Sequence, residues 1–301
     1  MKQVTVTIPA TTANLGPGFD CLGMALSLYQ TVTFSTSAIP DITIIAEGED
    51  AHKIPTDCTN LVLKSAEIIF DKIGQRPSSL QIHQKNAIPI GSGLGSSSSA
   101  VLAGMFGANA LLDSPFDNSQ ILQMATDLEG HPDNVAPAVY GGLILGVQAE
   151  EGLIVERIPV PPLRMVVILP DFHLLTSAAR AALPRQVSLQ DAIFNSSRLG
   201  LLIRALETAD YPQLHIAMQD RLHQPYRIPL IPGMAEAFEA AKNAGAAAVA
   251  ISGAGPSLIA FAPDSHTEIG AAVTAVFKQA GLNSRTWILD VDTGGASIQT
   301  N

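Results

Sequence analysis

Apolar and polar residues alternate through Val4-Thr5-Val6-Thr7-Ile8, the period-two pattern of a half-buried strand, and Pro9 predicts its end. A loop is predicted over 9–23, followed by β-rich runs from Met24 to Phe34 and from Ile42 to Ala46. Asn60 to Ile73 carries Leu61, Ala66, Ile69 and Phe70 at helical spacing with Gly74 just beyond, and Leu80 to His83 is expected as a short strand. Apolar residues return at helical periods from Ser96 to Leu112. A further helix, capped by Asn118 or Ser119, is expected to reach about Leu128. After the break at Gly130-His131-Pro132 come a helical stretch, Asn134 to Tyr140, and a buried strand, Leu143 to Val147.

Pro159, Pro161 and Pro162 form a linker-like stretch and place a domain boundary there, giving an expected division into 1–158 and 159–301. Beyond it the pattern predicts strand Met165–Leu169, helices over Thr176–Ala182, Leu189–Ala209 and Met234–Ala244, and strands Ala247–Ile251 and Leu258–Phe261. Helix Thr267–Ala280 and strand Arg285–Leu289 complete the series. That order is the split βαβ, ferredoxin-like arrangement with insertions, so the expected class is α+β.

The 301 residues hold 17 Lys and Arg against 27 Asp and Glu, a formal charge of −10, which argues against nucleic acid or an anionic membrane as the main partner. Two cysteines, Cys21 and Cys58, are too few for a disulfide framework and favour a reducing, cytoplasmic home; the opening MKQVTVTIPA lacks the basic-then-apolar pattern of an export signal. Two uncharged windows, Asn86–Leu112 and Asn243–Pro263, are interrupted by glycines, so no membrane span is expected.

The glycines of the first window carry chemistry. Pro89-Ile90-Gly91-Ser92-Gly93-Leu94-Gly95-Ser96-Ser97-Ser98-Ser99 runs from a predicted strand into a predicted helix. Alternate glycines let backbone approach a ligand, the helix start offers unpaired N–H groups and a positive dipole end, and serine hydroxyls add donors to phosphate or a ligand to phosphate-bound Mg²⁺. The tract lacks the Gly-Lys-Ser/Thr ending of a Walker loop, and Ser96 stands where a dinucleotide fingerprint needs its last glycine. Triphosphate binding is the expectation; a flexible connector is the plain alternative.

Three segments occur in a fixed order: Pro9-Ala10-Thr11-Thr12-Ala13-Asn14-Leu15-Gly16-Pro17-Gly18-Phe19-Asp20, the glycine-serine loop, and Ser252-Gly253-Ala254-Gly255-Pro256-Ser257-Leu258. Together they resemble the three motifs of the galactokinase, homoserine kinase, mevalonate kinase and phosphomevalonate kinase (GHMP) superfamily. With Glu129-Gly130-His131-Pro132-Asp133-Asn134, the first motif resembles the homoserine kinase branch. The likeness spans essentially the whole chain. It implies a two-domain fold, a mixed-sheet N-terminal domain carrying the phosphate loop and a ferredoxin-like C-terminal domain. It also implies ATP and Mg²⁺, phosphoryl transfer to the side-chain hydroxyl of L-homoserine, and a homodimer.

By that resemblance, residues 89–99 hold ATP, and Glu129 with Ser98 or Ser97 holds the metal. Asn14 and Asp20 meet the amino-acid head group, and Arg180 and Arg227 bind its carboxylate, with Arg185 the nearest rival to Arg180. Gly253 and His131 also belong to the substrate site, and Asp133 and Asn134 join Glu129 in the catalytic set, with Asp133 either accepting the hydroxyl proton or only orienting the substrate. Each has a blander reading: an Asx turn for Asn14 and Asp20, surface ion pairs for the arginines, a β-turn for the third motif. An acid at a helix C-terminus, as Glu129 is predicted to be, opposes the dipole and calls for another reason. Too few clustered ligands surround His131 and Asp133 for a transition-metal site. Lys85, just before the loop, is a candidate cation for the nucleotide.

Overall fold

The computed structural model describes residues 2–36 and 41–301. In chain order the first half contains β1 (Gln3–Ala13), β2 (Leu22–Ser35), β3 (Ile42–Gly48), α1 (Leu61–Ile73), β4 (Leu80–Asn86), α2 (Ser96–Leu111), α3 (Asn118–Glu129), α4 (Val135–Tyr140), β5 (Leu143–Ala149) and β6 (Gly152–Ile158). The second half contains β7 (Arg164–Pro170), α5 (Thr176–Ala181), α6 (Leu189–Glu207), α7 (Tyr211–Ala217), α8 (Gln224–Arg227), α9 (Met234–Asn243), β8 (Ala248–Ile251), β9 (Leu258–Phe261), α10 (His266–Gln279), β10 (Ser284–Asp290) and β11 (Ser297–Thr300).

The first sheet runs β11-β1-β2-β4-β3, with β5 on the far end of β2 and β6 beside β5; β3 and β4 pair in parallel and the other pairs are antiparallel. The second runs β10-β7-β9-β8, all antiparallel, which is the expected ferredoxin-like order. The last strand leaves the second half and adds to the first sheet beside β1. No helix among the described residues is long and apolar enough to cross a membrane.

Pro9 does not end β1. The strand continues to Ala13, and the register against β2 shifts between Pro9 and Ala10, a bulge that accommodates a residue with no N–H to give. The connecting loop is therefore only 14–21, held between two paired strands rather than spread over 9–23. Strands β6 and β11 and helices α7 and α8 were not foreseen by the pattern.

Three cores order these layers. One fills the space between the first sheet and α1–α4, with Val6, Phe34, Ile69 and Val101 among its members. Another joins the halves, setting Leu22, Met24 and Leu94 against Met165, Val167, Leu202 and Phe261. The third lies under α9 and α10 on the outer face of the small sheet. Along β7 the period of two divides the side chains, Met165 and Val167 to the joining core, Val166 and Ile168 to the outer one. The polar site opens at the edge of that joining core.

Candidate active site

Between β4 and α2 the backbone adopts the left-handed region at Gly91, Gly93 and Gly95, with φ of 68°, 80° and 70°. Two of these glycines also sit where no side chain fits. A Cβ on Gly93 would lie 2.3 Å from the Ser252 carbonyl oxygen, and one on Gly95 would lie 2.0 Å from Thr11 Oγ1. The loop is thus pressed between the first and third motifs. Ser252 Oγ donates to Gly93 O at 2.7 Å, Ser257 N–H to Ser92 O at 3.2 Å, and Thr11 N–H to Leu94 O at 3.1 Å.

Not every residue of the tract faces outward. Ser92 Oγ bonds Pro89 O at 2.7 Å, Ser99 Oγ bonds Gln30 Oε1 at 2.8 Å, and Leu94 is buried in the joining core. These shape the loop from inside. Gly91, Ser96 and Ser97 line the opening, with Ser96 to Ser98 in the first turn of α2, where backbone N–H groups have no helical acceptor.

Glu129 ends α3, with Gly130 capping the helix in the left-handed region. Its two carboxylate oxygens accept from Ser97 Oγ and Ser98 Oγ, each at 2.8 Å. The unfavourable dipole position is offset by these hydroxyls, and the cluster presents hard oxygens from three side chains beside the glycine loop. Next to it, His131 Nδ1 lies 2.5 Å from Asp133 Oδ1, and Asn134 Nδ2 donates to the same oxygen at 3.4 Å. The Asp133 hydrogen bond raises the His131 pKa above its ordinary value, against the opposing effect of burial. Asp133 is buried, with Oδ2 unpartnered, and it stands behind His131 and Asn134 rather than on the cavity wall.

Across the opening, Asn14 and Asp20 both take left-handed backbone, φ 64° and 57°, and Asn14 Oδ1 accepts the Asp20 N–H at 2.8 Å. The blander expectation of a loop bonding its own backbone therefore holds for Asn14. Asp20 does more: Arg180, from α5, donates to both its oxygens at 2.8 and 2.9 Å, and this pair raises the Arg180 pKa. Arg227, at the end of α8, is 1% exposed, donates from Nη1 to Gly253 O at 3.0 Å, and has a buried Nε without a partner. No carboxylate pairs with Arg227 among the described residues, and burial, then the neighbouring Arg180, lowers its pKa. Arg185 lies outside the cavity wall.

These groups enclose a cavity of about 290 Å³ lined from both halves, by Asn14, Asp20 and Glu129 on one side and Thr176, Arg180 and Arg227 on the other. A neighbouring cavity of about 320 Å³ shares Gly91, Ser96 and Ser97 with it and has more apolar walls, including Ile54, Pro55 and Val62. Lys53, paired with Asp50 at 2.8 Å, lines this second space, whereas Lys85 does not. Sequence reasoning missed Lys53 and Thr176; neither sits in a motif, and only the folded chain brings them to the walls.

Fold and loop define a class of small-molecule kinases. Models of the GHMP kinase N-terminal domain and C-terminal domain match residues 60–142 and 202–279. Homoserine kinase of Moorella thermoacetica is 46% identical, over 92% of this chain and 93% of that one, and that of a Synechococcus species is 45% identical over 99% and 98%. The crystal structure of homoserine kinase from Cytophaga hutchinsonii superposes with a TM-score of 0.88 at 32% identity, covering 99% of this chain and 97% of that one. The L. major mevalonate kinase, at 17% identity and a TM-score of 0.74 over 95% of each chain, shares the fold. The chain belongs to the homoserine kinase family of the GHMP kinases, which are ATP-dependent phosphotransferases.

Proposed function

We propose that this chain transfers the γ-phosphoryl group of ATP to the side-chain hydroxyl of L-homoserine, giving O-phospho-L-homoserine for threonine biosynthesis. One observation carries the reading: a single cavity joins a glycine-cradled helix N-terminus to a carboxylate and two guanidiniums that suit a zwitterion. The loop over 89–99 holds the phosphates through backbone N–H groups and the Ser96–Ser98 turn, and the base lies in the neighbouring apolar cavity beside Lys53. Asp20 receives the substrate ammonium, held in place by Asn14. Arg180 and Arg227 receive the carboxylate, and the unpartnered Nε of Arg227 is the feature an anion completes.

The Ser97, Ser98 and Glu129 oxygens fit Mg²⁺, a hard cation that takes one or two protein ligands and shares phosphate oxygens. Glu129 and Ser98 would hold the ion, which would supply charge neutralisation for the transfer. His131 and Asn134 line the acceptor side, with Asp133 orienting both from behind. A loose phosphoryl transfer needs little early deprotonation, so in-line placement of the hydroxyl does most of the work. The reading places the enzyme in the cytoplasm, as a homodimer.

ADP release by the purified protein with Mg-ATP tests this, using L-homoserine, L-serine, mevalonate, galactose and no acceptor. Release that depends on L-homoserine is expected. Release with mevalonate or galactose alone would keep the phosphate loop and overturn the head-group assignments.

A further inference from the structure

His223, on the turn leading into α8, is fully buried, and every partner of its ring belongs to the head-group side of the cavity or holds it in place. Its Nε2 lies 2.7 Å from Gly16 O and 3.1 Å from Asn14 O. Carbonyls only accept, so Nε2 carries the proton. On the other nitrogen, Arg227 Nη1 stands 3.4 Å from Nδ1, and a guanidinium only donates, so Nδ1 is bare. The contacts thus select one neutral tautomer.

Asp220 Oδ2, 3.5 Å from Nε2, is already committed to backbone N–H groups of His223 and Gln224 at 2.9 and 2.6 Å. The ring face is also used. Phe19 stacks on it with centroids 5.2 Å apart and planes at 26°, and the Arg180 and Arg227 guanidinium carbons lie 5.5 and 5.1 Å from the Phe19 centroid. The loop over 14–21 is close-fitted to the second half here, since a Cβ on Gly16 would lie 2.4 Å from Met218 O.

We propose that His223 is a positioning residue for the acceptor's amino-acid head group: it latches the Asn14–Asp20 loop of the first half to Arg227 of the second, setting the spacing between ammonium-binding carboxylate and carboxylate-binding guanidinium. The latch rests on the reading of Asp20 and Arg227 as head-group ligands. It predicts an effect concentrated on the amino-acid substrate, because among the described residues the hydrogen bonds and ring contacts of His223 and Phe19 run to the 14–16 loop, Asp220, Arg180 and Arg227 and not to the phosphate loop.

Steady-state kinetics of the full chain at neutral pH, varying L-homoserine and ATP separately, test it with His223→Gln, His223→Leu and Phe19→Leu. Gln keeps an N–H toward the two carbonyls but loses the ring and the acceptor for Arg227; Leu loses all three. The L-homoserine KM is expected to rise about tenfold in His223→Gln and further in His223→Leu, with kcat and the ATP KM within about twofold of the unsubstituted chain. An unchanged L-homoserine KM overturns the latch. So does a parallel change in kcat and both KM values with a lowered melting temperature, the mark of a merely structural histidine. Should His223→Leu fail to fold, His223→Gln and Phe19→Leu decide by the same criteria. An unsubstituted chain that phosphorylates another acceptor but not L-homoserine overturns the function reading, and the latch with it; activity on L-homoserine with unmoved variants overturns the latch alone.

Discussion

The phosphate loop and the head-group pocket face each other across one cavity and are built in opposite ways. The loop is contiguous, ten or so residues between a strand and a helix, and the anion contacts proposed for it come from backbone. The head-group pocket is discontinuous. Asp20 meets Arg180 across 160 residues of chain, and His223 meets Gly16 across 207. Its charges are side chains, held by packing between the two halves. The loop also leans on distant chain, on Ser252, Ser257 and Thr11, but those contacts only keep its backbone in shape, whereas a side-chain site depends on every contact that fixes the relative placement of the halves.

That contrast breaks most sharply at Glu129, the side chain proposed to hold the metal on the phosphate side. Glu129→Gln is expected to lower kcat by about 10²–10³-fold, because an amide is a poor Mg²⁺ ligand, while L-homoserine binding changes little. Normal turnover would remove Glu129 from the metal site. Second in size, Arg180→Ala is expected to raise the L-homoserine KM about 30-fold with the ATP KM unchanged, since it deletes one guanidinium and leaves Asp20 unpaired. Equal rises in both KM values would show that the two regions are not separable.

Gly93→Ala tests the backbone half directly. The added Cβ would meet Ser252 O at 2.3 Å on a left-handed residue, so the ATP KM is expected to rise about tenfold with a stability loss of about 1–3 kcal/mol. The smallest effect is on pH. Burial, more than the repulsion of Arg227, holds the His223 pKa below its ordinary value despite the attraction of Asp220. The unfolded chain therefore binds this proton more readily, and the stability conferred by neutral His223 is complete above about pH 6.5 and lost as pH falls below it. Between pH 7.5 and 5.5 the melting temperature of the unsubstituted chain should fall about 2 °C more than that of His223→Gln. Parallel curves would contradict the buried neutral ring.

What could be read in advance follows the same division. The glycine-serine loop, the helix behind it and the ferredoxin-like strand order were legible because each rests on local periodicity or on spacing along a few residues. Pro9 misled, since a bulge is set by the partner strand and not by the proline alone. Strand β11 has only four exposed residues and exists because β1 offers an edge; α7 and α8 are short and take their shape from what they pack against. Arg180 and Arg227 were nameable by resemblance, yet the bidentate pairing of one and the enclosure of the other are tertiary facts. His223 was missed because, although Arg227 and Asp220 are near it in sequence, the partners that give it a place at the site, Asn14, Gly16 and Phe19, lie about 200 residues away.

Together the two regions are proposed to move a phosphoryl group onto an amino-acid side chain. Phosphorus NMR of the product formed from Mg-ATP and L-homoserine tests it most directly. A new phosphomonoester resonance, coupled to the methylene protons next to the side-chain oxygen and growing in step with ADP, is the predicted result. Inorganic phosphate as the sole new phosphorus species alongside ADP would contradict it.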